Sequence, residues 1–560
     1  MNIFYEMASR LGFYKDVKNC LLKGFTPCAV TGVSNIHKAQ TAMALSRLSP
    51  CLVICDDEAS AIRMTVDINE MAGEQLACVF PAKDLNFAYM EGVSREYEHK
   101  RLEALSLITQ GKCKIIAASM EACLQGIIPQ DKLKEFSFEI KTGGELSLEE
   151  LTSKLLAGGY TRTDQVEGQA QFSVRGSIAD IFPVQESRPV RIELWGDEVD
   201  SISYFDPESQ RRTDPIDEIM VFPALEIIFP DTDDLVAKLE ALSKSVRGSR
   251  TDKIRTNISR DIETAQSGIT LTNLDKYYTV CYDKLTTVFD YFESGVCLVS
   301  EYTNCIEKGK AALAQLSEDM KLLYEDGILF RKLEGFYLDI PQAELKITQM
   351  KSVFLDSFMR SNNGVKFKKL INTDCRQTAA WGGNIINLEE ELKNFCSQGY
   401  CTVVLAGSEK TLPIINKDLN DAGISAEILT EDSEIIKGKV YLRTGCLSGG
   451  FDYPDIGCAA ITQMKAMSAK KRKSRHKAGE EIKSLSDIQT GDLVVHAMYG
   501  IGRFSGIKNI ETNGVTKDYI TIKYAGTDVL YVPVTQLDLV SRYIGPRDDG
   551  AVKLNKLNSM

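Results

Sequence analysis

Cys28-Ala29-Val30-Thr31-Gly32-Val33-Ser34-Asn35-Ile36-His37-Lys38-Ala39 is the stretch on which the fold turns. A short apolar run enters a glycine, and a helical pattern through Ala39, Ala42, Leu45 and Leu48 follows. Strand, glycine turn and helix in that order are the layout of a phosphate-binding loop. A working loop reads Gly-x-x-x-x-Gly-Lys-Ser/Thr. Its second glycine lets backbone N–H groups close on phosphate oxygens, and its last hydroxyl ligates magnesium. Here the second glycine's place holds His37, whose Cβ crowds the turn. The hydroxyl's place holds Ala39. Gly32 and Lys38 remain, but a lone lysine does not hold a triphosphate and its metal. The stretch therefore predicts a fold derived from a nucleotide-binding unit that does not hydrolyse ATP at this site. A chance match of one glycine and one lysine leads to the same expectation.

Working outward, Cys51-Leu52-Val53-Ile54-Cys55, Ala77-Cys78-Val79-Phe80-Pro81 and Lys114-Ile115-Ile116-Ala117-Ala118 are further continuous apolar runs separated by helical stretches. Runs of that kind predict a parallel sheet covered on both faces over residues 1–125. From 126 to 215 the pattern changes. Gln171–Pro183 and Val190–Ile202 alternate polar and apolar residues, which predicts a half-solvated antiparallel sheet in an inserted domain. Residues 216–345 return to helices, for example Ile306–Leu323, and complete the first domain. Residues 350–460 read as a further α/β domain, with strands Thr402–Ala406 and Val440–Leu442 and a helix through Leu412, Ile415 and Leu419. Residues 461–485 carry a basic run containing Lys470, Lys471, Arg472, Lys473, Arg475 and Lys477. Such a run stays solvated as a linker, and clustered cations can also contact DNA phosphates; the two readings are compatible.

Residues 486–546 are almost purely β in pattern. Val494, Ile507, Ile520, Ile522 and Tyr524 mark strands, and Asn513-Gly514 suits a tight hairpin turn. Gly500, Gly502 and Gly506 fit sharp bends in a small barrel. The stretch holds no acid pair, metal cluster or nucleophile. It reads either as a docking module whose edge strand captures a partner's strand, or as a structural barrel that packs on its neighbour.

The chain has 560 residues, enough for three to five domains at about 100–200 residues each. A net charge of −12 argues against a chain that coats DNA throughout. The 15 cysteines include no Cys-x-x-Cys pair, which fits reduced thiols and not a zinc site or a disulfide framework. The first residues, Met1–Lys23, lack a signal-peptide core, and no apolar run approaches the ~20 residues of a membrane span. A soluble cytoplasmic protein is expected, with no metal site.

Val494-Val495-His496, Tyr499-Gly500-Ile501-Gly502-Arg503-Phe504, Tyr519-Ile520, Ile522–Gly526 and Leu530–Val534 together resemble the RNA polymerase-interacting module shared by the bacterial transcription-repair coupling factor (Mfd) family and CarD-type regulators. The resemblance implies binding to the β subunit of RNA polymerase by edge-strand pairing. It places Ile507, Lys508, Asn509, Ile510 and Glu511 on the pairing strand, with Ile510 as the apolar contact. Arg175–Pro183 with Arg191–Glu198 resembles the segment by which UvrB and the same family bind UvrA, and by position Arg175, Arg191 and Trp195 take the contact roles. Arg191 and Trp195, four apart on a strand, share a face. Read without the resemblance, Trp195 can instead be core and the arginines ordinary surface ion pairs. The first ~345 residues resemble the UvrB-like module of that family, whose phosphate loop (here Gly32, His37, Lys38, Ala39) has degenerated; Phe80-Pro81, Arg95-Glu96 and Arg101-Leu102 fit the same family.

The implied fold is multi-domain α/β: a UvrB-like parallel-sheet domain with a degenerate phosphate loop, an inserted antiparallel α+β domain, a further α/β domain and a C-terminal small β-barrel of CarD/Tudor type. The implied function is an adaptor that grips stalled RNA polymerase and recruits UvrA for nucleotide excision repair. Catalytic residues and cofactors are expected to be absent from this chain. Full-length family members add an ATP- and magnesium-dependent translocase on double-stranded DNA, and 547–560 would begin the linker to it. Whether the chain is a fragment or naturally short stays open. A CarD-type regulator and a UvrB-like DNA helicase are the alternative readings.

Overall fold

The computed structural model describes residues 2–88, 95–248, 250–358, 364–430, 433–463, 480–481, 490–496, 500–512, 515–524, 529–533 and 540–542. Two compact units divide the chain, Met1–Ala466 and Met467–Met560.

The first unit opens with β1 (Cys28–Thr31), β2 (Cys51–Cys55), β3 (Ala77–Phe80) and β4 (Ile115–Ser119). β2 and β4 are buried at every residue, as strands in a parallel sheet covered on both faces must be. The chain then leaves this sheet. β5 (Phe138–Lys141) leads into β6 (Thr161–Arg162), β7 (Gln171–Arg175), β8 (Ile178–Ile181), β9 (Val190–Trp195), β10 (Glu198–Phe205) and β11 (Arg212–Ile216). β12 (Glu218–Val221) leads back out and pairs antiparallel with β5, so the entering and leaving strands form a two-stranded neck. β13 (Val296–Ser300), β14 (Lys351–Asp356) and β15 (Lys369–Asn372) complete the parallel sheet in the order β15-β1-β14-β13-β2-β4-β3.

The inserted sheet runs β11-β10-β9-β8-β7-β6. β9 alternates as a half-solvated strand should, with Val190, Ile192 and Leu194 inward and Arg191, Glu193 and Trp195 on the other face. Two-residue turns at Gly176-Ser177 and Gly196-Asp197 close the β7–β8 and β9–β10 hairpins. Both open on a glycine of positive φ, 62° and 64°, which other residues adopt only with strain.

A third sheet comprises β16 (Cys401–Leu405), β17 (Ala426–Ile428), β18 (Val440–Arg443), β19 (Phe451–Tyr453) and β20 (Cys458–Thr462), in the order β17-β18-β16-β20-β19. One of its faces shares a core with the helices Ile3–Arg10, Asn35–Leu45 and Glu58–Ala72 of the first sheet. Tyr453 donates a 2.5 Å hydrogen bond to Gln40, and Phe451 meets Phe4 edge-on at 6.1 Å.

Two expected boundaries move. A domain beginning at 350 would cut the parallel sheet, because β14 lies between β1 and β13 and β15 is its edge strand. The third sheet's own segment starts only after Asn372. The insertion likewise does not end at 215, since its neck runs to Val221. In both cases pairing at long sequence separation, invisible to local periodicity, decides membership.

A buried charge network anchors the neck. Arg101, 0% exposed, pairs with Glu226 at 2.6 Å and donates to Gln125 Oε1 at 2.7 Å, the Pro81 carbonyl at 3.1 Å and the Gly126 carbonyl at 3.3 Å. Lys83 lies 2.9 Å from both Glu226 and Asp275. Burial works to raise the Glu226 carboxyl, but Arg101 and Lys83 outweigh it and hold it below the usual range.

The second unit holds β21 (Glu480–Glu481), β22 (Leu493–His496), β23 (Gly500–Thr512), β24 (Val515–Lys523), β25 (Val529–Pro533) and β26 (Val540–Arg542). Their antiparallel order is β21-β26-β22-β23-β24-β25. Among the described residues no pair joins β25 to β21. Thr512 pairs with Val515, leaving two residues for the β23–β24 turn, as Asn513-Gly514 predicts; those two lie outside the described residues. Gly506 sits at a bulge with φ of 111°. Gly502 serves close packing and not a bend: a Cβ there would fall 2.4 Å from Ile522.

Arg101→Met leaves Glu226 buried without its guanidinium. It is expected to destabilise the first unit by about 3–5 kcal/mol, read as a lower urea midpoint. Arg101→Lys should rescue little of this, since one ammonium cannot serve four acceptors on different sides.

Candidate functional site

The degenerate phosphate loop is filled from within. The backbone N–H groups of Gly32 and Val33 donate to the Asp356 carbonyl at 3.1 and 3.4 Å. A Cβ on Gly32 would lie 2.5 Å from the Thr373 carbonyl, so glycine is kept for a close approach of protein backbone. His37 caps its own helix. Its Nδ1 accepts from the Ser34 N–H at 3.1 Å, which places the proton on Nε2, and Nε2 donates to the Arg376 carbonyl at 3.1 Å. The ring packs on Tyr453 at 5.3 Å. Burial holds its pKa at about 4. The residue that replaced the loop's glycine thus pins the third sheet to the first. Ala39 is fully buried beneath it.

Lys38 is also buried, and its ammonium lies 2.6 Å from Glu301 and 3.2 Å from Ser300 Oγ. Glu301 accepts in addition from the Ser357 N–H at 2.9 Å. Burial pushes the Glu301 carboxyl up, yet Lys38 and Ser357 prevail and hold it low. Glu301 adopts φ of 54°, uncommon for a residue with a Cβ. Beside this pair opens a cavity of about 310 Å³ whose lining includes Asp56, Asp57, Asp67 and Glu301 against the single cation Arg63. A phosphate entering it meets four carboxylates. The residues present do not fit the phosphates of a nucleotide.

On the inserted sheet the three predicted contact residues lie on one face, Arg175 and Trp195 near the end where both hairpin turns sit and Arg191 toward the opposite end. The Leu194 N–H reaches the Ser177 carbonyl across the hairpin end at 2.9 Å. Trp195 is 84% exposed, so the core alternative for it fails. Arg175 and Arg191 are not on adjacent strands: β8 lies between theirs and contributes Asp180. Asp180, 1% exposed, takes Arg175 Nη2 at 2.7 Å, Arg191 Nε at 2.6 Å and Arg191 Nη2 at 2.8 Å. Arg191 also donates to the Gln210 carbonyl at 3.1 Å and covers Phe205 at 4.7 Å. The Asp180 carboxylate raises the Arg191 pKa further. Sequence reading gave Asp180 and Glu301 no role and took Gln210 as structural. The available signal for Asp180 was an acid on a strand flanked by two segments each carrying an arginine.

In the second unit Gly500–Arg503 of β23 pairs with β22, and Phe504 exchanges backbone bonds with Gly491 and Asp492. From Gly506 to Thr512 the strand pairs with β24 alone among the described residues. The predicted pairing residues Ile507, Lys508, Asn509, Ile510 and Glu511 all fall on this one-sided segment. Lys508 is exposed, with its ammonium 5.7 Å above the Tyr531 ring. The basic run at 470–477 lies outside the described residues. Among the described residues no helix is long and apolar enough to cross a membrane, and no cluster of three or more His, Cys, Asp or Glu could hold a metal.

Residues 138–226 match the UvrB interaction domain, and residues 488–544 match the CarD-like/TRCF RID domain. Over 547 residues the chain is 29% identical to a transcription-repair-coupling factor of Bacillus subtilis, covering 95% of this chain and 46% of that protein. It is 28% identical over 551 residues to the factor of Staphylococcus haemolyticus, covering 94% and 46%. The chain thus spans about half the length of the relatives it matches. The first match begins at β5 and ends at Glu226, on the neck and its anchor.

Folded His37 stays neutral down to about pH 4, whereas unfolded histidine titrates near 6.5. The unfolded chain therefore binds the extra proton in that window, and stability is lost as pH falls through it. His37→Gln is expected to remove about 1.4 kcal/mol per pH unit from the slope of stability between those limits, read by urea titrations at several pH values. His99, also lowered to about 4, keeps its own share of that slope, while Asp67, raised to about 6, opposes it below pH 6.

Proposed function

We propose that this chain is the recognition half of a transcription-repair coupling factor, an adaptor that joins stalled RNA polymerase to the UvrA step of nucleotide excision repair. The observation that carries this reading is the presence, on one polypeptide, of a UvrB interaction domain and a CarD-like/TRCF RID domain. A CarD-type regulator would need only the second.

The inserted sheet would present Arg175 and Trp195 to UvrA. Aromatic and arginine side chains dominate protein interfaces because they bury large areas and offer directed donors. The one-sided segment of β23 would take a strand from the β subunit of RNA polymerase, main-chain bonds supplying affinity and Ile510 an apolar contact. The basic run at 470–477 would touch DNA phosphate as a secondary contact. Residues 32–39 would hold no nucleotide: the loop's N–H groups and Lys38 already serve Asp356, His37 and Glu301. That occupancy weighs against the UvrB-like helicase reading, because nucleotide would have to break the Lys38–Glu301 pair to bind.

Wild-type chain is expected to co-purify with RNA polymerase, and Ile510→Arg to lose that association while keeping its fold. Retention of polymerase by Ile510→Arg removes the strand-pairing assignment. Separately, UvrA retained in a pull-down by wild type should be largely lost from the Arg175→Ala, Arg191→Ala double variant. Truncating one interface hot spot often costs about 2 kcal/mol, roughly a thirtyfold weaker Kd.

A further inference from the structure

The three residues of the inserted face are not equivalent. Arg191 is spent: its side chain is 14% exposed, two of its nitrogens serve Asp180, and Nη1 serves the Gln210 carbonyl. Gln210 holds φ of 59°, a region residues with a Cβ seldom adopt, and in that conformation its carbonyl faces Arg191. Arg175 keeps most of its guanidinium open. It is 52% exposed and gives one nitrogen to Asp180. Trp195 stands clear of the sheet beside the second hairpin turn. The neighbouring acid Glu193 does not compete for Arg175, because it pairs with Arg212 and accepts from Ser201 Oγ at 3.3 Å.

One buried carboxylate shared by two guanidinium groups leaves one net positive charge. Since Arg191 is covered, that charge emerges at Arg175. A long arginine side chain ordinarily loses rotamer freedom when it binds, and tethering it beforehand removes part of that cost. We propose that Asp180 is a positioning residue, the buried anchor that holds Arg175 ready, with Arg191 as its internal counter-ion and not as a contact. The ligand this selects is an acidic side chain next to an apolar group on a protein surface: the carboxylate on Arg175, the apolar group on Trp195. The proposal rests on reading the inserted domain as the UvrA-binding face.

The test uses the full chain with purified UvrA as probe. Asp180→Asn is expected to weaken UvrA binding roughly tenfold. In an Arg175→Ala background the same substitution should change affinity by less than about twofold, because the anchor then has nothing to position. Trp195→Ala should weaken binding with the unfolding temperature unchanged. Independently, phenylglyoxal should label Arg175 faster than Arg191 in the wild-type chain, and saturating UvrA should protect Arg175 while leaving Arg191 as slow as before. That arm needs no variant, so it stands if Asp180→Asn fails to fold. Additive losses in the double variant, or protection of Arg191 in place of Arg175, overturn the proposal. If wild type does not bind UvrA, the reading of the face falls, and equal labelling of the two arginines in the free chain overturns the clamp on its own.

Discussion

The pair between Arg101 and Glu226 is the contact on which the first unit depends. A guanidinium and a carboxylate taken this far from water are costly to bury, and removing either partner alone strands the other. Every acceptor around Arg101 therefore has to be in place. Pro81 closes the end of β3, Gln125 and Gly126 follow the end of β4, and Glu226 follows the exit strand of the insertion. One side chain thus ties the parallel sheet to the point where the inserted domain returns. Lys83 and Asp275 extend the network into the segment before β13. The insertion is held at its base, and its solvent face is left available for a partner.

The degenerate loop shows the same economy. Positions that in a working loop face phosphate oxygens face protein here. His37 binds the Arg376 carbonyl and packs on Tyr453, so the residue that spoils the phosphate site joins two sheets. Glu301 supplies the anion that Lys38 would otherwise seek in a nucleotide. The loop has become a structural junction, and the helix after it, Asn35–Leu45, is buried along nearly its whole length.

Much of this was legible in the chain. β2 and β4 were readable because strands buried on both faces are apolar without interruption. The β9 face was readable because period-two alternation separates Arg191 and Trp195 from Val190, Ile192 and Leu194. The loss of Gly and Ser/Thr in the phosphate loop was readable residue by residue. What was not legible were the partners of those residues. Nothing local says that Lys351–Asp356 lies between two strands more than 50 residues or more than 300 residues away, that Asp180 lies between two arginines, or that Glu301 meets Lys38.

The sequence by itself determined the alternation of sheet types, the spoiled phosphate loop and the composition of each exposed strand, because these depend on side-chain character and spacing along one segment. Only the tertiary structure decided which sheet owns β14 and β15, what fills the loop, and which arginine of the inserted face is free to bind. The physical reason is the same each time. Burial forces every charge and every backbone N–H to find a partner, and that partner is chosen by the packing of distant segments, which no local pattern encodes.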